Sequence, residues 1–215
     1  MKFQELVDHF RTAPFFELEE VRALATCSDS QLANQLSQWV QQGKLMRCRS
    51  GKYLLEDRYR TFTPSTYYVA NYLYRPSYVS LTTAFQFYGL IPEAVGLVQS
   101  VTPRQGREWS TELADFSYRS IKRARFWGYH RETLDALPAQ NRFLIADPEK
   151  SLLDLFYLQT GEWTRGRLSA MRFQSLEKFD PDRLRRYSER FESPKVSRAA
   201  DRFLELYSGE LTGER

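Results

Sequence analysis

The sequence predicts an α+β protein: an N-terminal winged helix-turn-helix domain followed by a mixed α/β C-terminal domain that ends in helices. Three observations carry this. Apolar residues recur at helical spacing in three successive stretches before Gly43, and two short strand-like runs follow, KLMRCR and KYLL, hinged on Ser50-Gly51. Beyond Thr66, aromatic-rich helical patterns mix with the short apolar runs LVQSVT, ADFSYRSIK and NRFLIA. Asp-Pro or Ser-Pro pairs then open three more helical patterns. The expected boundaries are residues 1–57 for the winged domain, 58–66 for a linker and 67–215 for the C-terminal domain.

Phe3, Leu6, Val7 and Phe10 give the first helix, which Ala13-Pro14 ends because a residue before proline is pushed out of helical geometry. Phe15 and Phe16 lead into a second helix with Leu18, Val21, Leu24 and Ala25 on one stripe. A turn at Thr26 to Asp29 follows. Ser28, Asp29 or Ser30 caps the third helix, since their side-chain oxygens accept from the unpaired amides of a first turn. Leu32, Leu36, Trp39 and Val40 form its buried stripe, and Gly43 suits a left-handed stop. In the second domain, Tyr67, Val69, Ala70 and Leu73 share a helical face; Ser80 caps a short helix with Ala84, Phe85 and Tyr88, closed by Gly89. LVQSVT reads as a strand, PRQG as a turn, ADFSYRSIK as a strand alternating Phe116 and Tyr118 with polar neighbours, and NRFLIA as a third strand. Asp147-Pro148 opens a helix that buries Leu152, Leu153, Phe156 and Tyr157; Asp180-Pro181 and Ser193-Pro194 open two more, with Gly209 closing the last.

The third helix is where function is most legible. Its outward face carries Ser30, Gln31, Asn34, Gln35 and Gln38, and then Gln41 and Gln42, where alternating Glu and Lys would be ordinary. Asn and Gln amides pair bidentately with adenine in the major groove, at roughly 1 to 3 kcal/mol of discrimination per good pair. Lys44, Arg47, Arg49 and Lys52 supply cations for phosphates, with period-2 alternation placing Arg47 and Arg49 on one face of the hairpin. A capped helix before a basic hairpin also suits an interaction module that never meets DNA. A second basic group, Arg104, Arg107, Arg119, Lys122, Arg123 and Arg125, interleaves with aromatics. It fits a nucleic-acid backbone, or equally a strand edge guarded by charge against pairing.

With 31 Lys and Arg against 27 Asp and Glu, the net charge of +4 is compatible with an anionic partner. The start, MKFQELVDHFR, carries charges throughout, unlike a signal peptide, and no apolar run approaches the ~20 residues that cross a bilayer. A cytoplasmic protein without a membrane partner is expected. Cys27 and Cys48, with no His nearby, suggest small reduced thiols rather than a disulfide or a zinc site. His9 reads as a surface or core-edge residue and His130 as a loop residue. The chain has no GxSxG, GxxxxGK[ST] or GxGxxG, so neither a catalytic centre nor a cofactor is expected. Asp147, Glu149 and Lys150 read as a helix entrance, with Asp147 as cap, Glu149 at the positive end of the dipole and Lys150 free to reach outward.

Four blocks, PSYVSLTTAFQFYGLIPEAV (76–95), SVTPR (100–104), FSYRSIKRARFWGY (116–129) and RFLIADPEKSLLDLFYL (142–158), stand in the order of the AbiEi family of antitoxins from bacterial type IV toxin-antitoxin systems, which the chain resembles. The resemblance implies an N-terminal domain that binds the operator DNA of its own promoter and represses it. It also implies a C-terminal domain required for antitoxin activity against a cognate nucleotidyltransferase-like toxin, whose effect it counters without necessarily binding it. The helical tail from Asp180 onward matches no pattern of the family. The rival reading is a winged-helix regulator whose second domain senses a small ligand, with the aromatics between Tyr67 and Tyr88 lining a pocket; a nuclease or RNA-modifying enzyme is a third.

Overall fold

The computed structural model describes residues 1–13, 15–92, 96–134 and 141–211. The chain divides into two compact units. One comprises Met1–Val69, Thr111–Leu113 and Thr133–Arg142, the other Ala70–Ser110, Ala114–Glu132 and Phe143–Arg215. The protein is mixed α and β, with a helix-and-strand N-terminal region and helices at the C-terminal end.

In the first unit the order is α1 (Phe3–Phe10), β1 (Phe15–Glu17), α2 (Leu18–Leu24), α3 (Asp29–Gln41), β2 (Leu45–Arg49) and β3 (Lys52–Leu55). The strands form an antiparallel sheet in the order β1-β3-β2. The sequence pattern did not distinguish β1, because three residues are too few to show alternation. Its Phe16 stacks on Phe10 of α1 at 4.5 Å and on Tyr53 of β3 at 5.8 Å, tying helix to sheet. Leu6, Val21, Leu32, Leu36, Leu45 and Leu55 complete this core. The stripe expected on α2 is incomplete: with only two turns the helix buries Val21 alone and leaves Leu24 41% exposed. Gly43 and Gly51 take φ of +61° and +73°, the left-handed geometry that a helix stop and a tight hairpin need.

The division between units falls within α4 (Thr66–Leu73). There follow β4 (Tyr78–Val79), α5 (Leu81–Tyr88), β5 (Leu97–Thr102), β6 (Arg107–Ser110), β7 (Asp115–Ser120), β8 (Tyr129–Glu132), β9 (Phe143–Ala146), α6 (Pro148–Leu158), α7 (Arg165–Ala170), α8 (Pro181–Phe191), α9 (Pro194–Leu206) and α10 (Ser208–Leu211). The sheet order is β6-β7-β5-β4-β9-β8, with β5∥β7 and β4∥β9 and antiparallel pairs elsewhere. Three of these strands were not expected. β4 is two residues long, and β6 and β8 are edge strands, REWS and YHRE, whose polar residues give no apolar alternation. The helix α6 is buried on every side from Pro148 to Phe156, against α5 and against α8 and α9. Thr164 caps α7 by accepting from the Arg167 amide. Gly209 lies inside α10 instead of closing a helix. Among the described residues, no helix is long and apolar enough to cross a membrane.

Candidate nucleic-acid interface

Helix α3 begins with a reciprocal cap. The Ser28 hydroxyl accepts from the Gln31 amide at 3.4 Å, and the Ser28 amide donates to Gln31 Oε1 at 3.1 Å. Leu32, Leu36 and Trp39 face the core, so at 3.6 residues per turn Ser30, Asn34, Ser37, Gln38 and Gln41 face outward, all exposed. Two of the expected base-reading residues are engaged differently. The carbonyl oxygen of Gln31 is used in the cap, and Gln35 is half-buried with its Oε1 out of reach of solvent. The face that remains is an uncharged one of hydroxyls and amides.

The hairpin departs from simple alternation. Arg47 stands opposite Tyr53 and Arg49 opposite Lys52, so Cys48 is an extra residue in a β-bulge. Because Tyr53 and Lys52 point to opposite faces of β3, Arg47 and Arg49 do not share a face. Arg47 is exposed and Arg49 half-buried. The bulge lets Cys48 turn inward; it is 6% exposed, and burial pushes its thiol up to about 12, aided by Glu112 and Glu56 against Arg60. Lys52 forms an ion pair with Glu17, and the Lys44 ammonium lies 5.1 Å over the Phe3 ring. Arg58, placed by the sequence in the linker, donates to the Gly43 carbonyl at 2.9 Å, just past the end of α3. No periodic pattern marks it, because it lies in a short turn (Asp57–Tyr59). From Met1 to Asp57 there are seven Lys and Arg against eight Asp and Glu, but from Ser28 to Lys52 there are four against one. The positive charge is therefore local to the hairpin.

The members of the second basic group are engaged differently. Arg107 pairs with Tyr118 across β6 and β7, so the next residue, Arg119, points from the opposite face of the sheet, where it donates to the Leu158 carbonyl at 3.5 Å. Arg125 is structural: it donates to the Phe191 and Glu192 carbonyls at 2.8 and 3.0 Å and to the Tyr157 hydroxyl at 2.9 Å. These bonds tether its turn to the end of α8. Arg104 lies 4.5 Å over Tyr74, and Lys122 and Arg123 are exposed on the turn after β7.

The entrance to α6 is arranged otherwise than a simple cap. Asp147 makes no side-chain cap bond; its oxygens meet His130 Nδ1 at 2.7 Å and accept from the Tyr187 hydroxyl at 2.8 Å. Glu149 accepts from the Asp180 amide at the start of α8, at 2.6 Å. Lys150 reaches inward. Its ammonium donates to the Tyr78 hydroxyl at 2.8 Å and to Asp154, while Ser80, expected as a cap for α5, donates to Asp154 at 2.9 Å. Burial draws Lys150 down and Asp154 up, each toward its neutral form, and their mutual attraction opposes both shifts. Among the described residues, no group of three or more His, Cys, Asp or Glu is placed to hold a metal ion.

Half of the aromatics expected to line a ligand pocket are core: Tyr72, Tyr74, Tyr78 and Phe85 are each at most 7% exposed, whereas Tyr67, Tyr68, Phe87 and Tyr88 are half-buried. An open groove of about 690 Å³ lies instead over the end of β7, lined by Arg107, Glu108, Arg119, Ser120 and Leu158 among others, so the two arginines meet at one groove although they leave opposite faces of the sheet. The four sequence blocks of the antitoxin resemblance fall on β4 and α5, on β5, on β7 to β8, and on β9 and α6, the sheet and the two helices that succeed its strands. No protein-family model matches the chain, and no curated protein is significantly similar to it.

Proposed function

We propose that the protein is a non-enzymatic DNA-binding autorepressor and antitoxin, in which α2, α3 and the β2–β3 hairpin act as a winged helix-turn-helix. The observation that carries the DNA reading is the outward face of α3, where Ser30, Asn34, Ser37, Gln38 and Gln41 offer hydrogen-bonding groups without charge on a helix anchored by three buried apolar residues. A solvated surface helix gains from charges of both signs; neutral amides at successive turns suit the edges of bases in a major groove. The order of helices and strands supports the same reading, since the hairpin follows α3 directly and carries the local excess of cations to the phosphates beside the groove. The antitoxin role rests on the resemblance of residues 76–158 to the AbiEi pattern. It assigns rescue from a nucleotidyltransferase-like toxin to the second unit.

The test is fluorescence anisotropy of the full chain on duplex from upstream of its own gene and on a scrambled duplex of equal length. Tighter binding to the first is expected. Asn34→Ala with Gln38→Ala should remove roughly 1 to 3 kcal/mol per lost base contact from the specific complex and almost nothing from the scrambled one. Equal losses on both duplexes would show that the helix does not read bases.

A further inference from the structure

Some surface arginines in this protein are answered by carboxylates. Arg22 pairs with Asp29, Arg165 with Glu205 and Arg185 with Asp182, at 2.9 to 3.4 Å. Three arginines of the second unit are held by neutral groups instead. Arg104 Nη1 donates to the backbone carbonyl of Arg75 at 2.9 Å, and its guanidinium lies 4.5 Å over the Tyr74 ring. Arg75 itself lies 4.9 Å over Tyr72. Arg107 donates to the side-chain oxygen of Gln105 at 3.4 Å, and the backbone carbonyl of that same Gln105 accepts from the Tyr74 hydroxyl at 3.0 Å. Tyr74 in turn meets Tyr118, the cross-strand partner of Arg107, at 5.2 Å. Among the described residues, none of the three guanidiniums has a carboxylate within ion-pairing distance.

All three arginines are exposed, whereas Tyr72 and Tyr74, beneath Arg75 and Arg104, and Tyr118, across the strand from Arg107, are at most 7% exposed. A buried ring under Arg75, a neutral oxygen for Arg107 and both for Arg104 restrict the guanidiniums without neutralising them. Three like charges on one patch repel, so the arrangement gains little as a fold-stabilising device; a nearby carboxylate would serve that end better. Guarding the β6 edge against strand pairing would explain Arg107 but not Arg75 or Arg104, which lie in the turns before β4 and after β5. Planar, pre-oriented guanidiniums match phosphate oxygens.

We propose that Arg75, Arg104 and Arg107 form a contact site for the phosphate backbone of duplex DNA, carried by the second unit and separate from the base-reading face of α3. Duplex is favoured over single strands because the rings are buried, which leaves no stacking platform of the kind unpaired bases use. The site therefore contributes affinity without sequence preference. It rests on the DNA reading above for its partner but not on α3 for its chemistry.

The experiment measures binding of the full chain to its promoter duplex, to a scrambled duplex and to single-stranded RNA of equal length, across a salt series. Replacing all three arginines by Gln should weaken both duplexes at least tenfold at about 100 mM salt and make the slope of log affinity against log salt shallower by roughly two to three units. The preference for the promoter should persist. The triple Lys variant should keep most of the slope, which a purely structural role for the arginines would not predict. Arg107→Gln alone, which loses only its bond to Gln105, should remove about one unit of slope even if the triple variant fails to fold. An unchanged duplex slope in Arg107→Gln, or a loss confined to RNA, overturns this site while leaving the α3 reading intact. A normal slope loss here, with no promoter preference in the unmodified protein, overturns the α3 reading and leaves this site standing. No duplex binding by the unmodified protein overturns both.

Discussion

Lys150 and Asp154 lie one turn apart on α6, each with no solvent exposure, and they share a network with Tyr78 of β4 and Ser80, just before α5. Three aromatic rings, of Tyr78, Trp127 and Phe191, stand between 5.2 and 5.3 Å from the ammonium. Removing Lys150 leaves the Asp154 carboxylate buried without a countercharge, with only the hydroxyls of Tyr78 and Ser80 as donors. Lys150→Met should therefore cost about 3 to 5 kcal/mol, whereas Lys150→Met with Asp154→Leu should cost much less, because no buried charge remains. Urea unfolding followed by tryptophan fluorescence measures both, and a double variant no better than the single would show that the pair itself stabilises the fold. Cys48 gives a second test at this scale. Its thiol binds its proton more tightly folded than unfolded, so the stability it contributes is intact below pH 9 and drains as pH climbs toward 12. At pH 8 Cys48 should resist a thiol reagent in the native protein and react only after denaturation; native modification at Cys48 would contradict its burial.

At the scale of elements, the hairpin separates cations that sequence alone treats alike. Arg47 is exposed and Lys52 is paired with Glu17, so only the first has a charge to give to a phosphate. Arg47→Ala should make the salt dependence of DNA binding shallower by roughly one unit, and Lys52→Ala should leave it nearly unchanged. Equal effects would mean that the Glu17 pair opens on binding. The difference was not legible in the sequence, because Glu17 is far from Lys52 along the chain and meets it only through the pairing of β1 with β3. The bulge at Cys48 escaped for a related reason: period-2 alternation assumes an unbroken ladder. By contrast, the cap at Ser28, the stripe of Leu32, Leu36 and Trp39 and the stops at Gly43 and Gly89 depend on neighbours within a turn or two, and the structure has them where the pattern placed them. Edge strands β6 and β8 lay between these cases. Their polar residues satisfy solvent on one side, so no local signal sets them apart from loop. Ser80 and Lys150 were misread because a buried network, formed between β4 and α6, claimed side chains that local rules assign to a cap and to solvent.

For the molecule as a whole, charge is divided unevenly. The first unit carries ten Lys and Arg against ten Asp and Glu, so the excess of four cations belongs to the second. A neutral first unit cannot draw DNA by its overall field; what it offers is the amide face of α3 and the few cations of the hairpin. Specific repression should then be sensitive to small losses on α3, while activities of the second unit should not depend on that helix at all. Asn34→Ala with Gln38→Ala is the variant that separates them, since both side chains are exposed and neither belongs to the core. A reporter driven by the protein's own promoter should be derepressed by this variant. If the proposed antitoxin role belongs to the second unit, rescue of growth on co-expression with a nucleotidyltransferase-like toxin should match that of the unmodified chain at equal protein level. The exposed turn residues offer the reciprocal case: Lys122→Ala with Arg123→Ala removes two cations from the second unit without touching α3. If that pair serves rescue, growth fails while the reporter stays repressed. Parallel loss of both activities in the α3 variant, with the protein still folded and equally abundant, would end the division of labour between the two units.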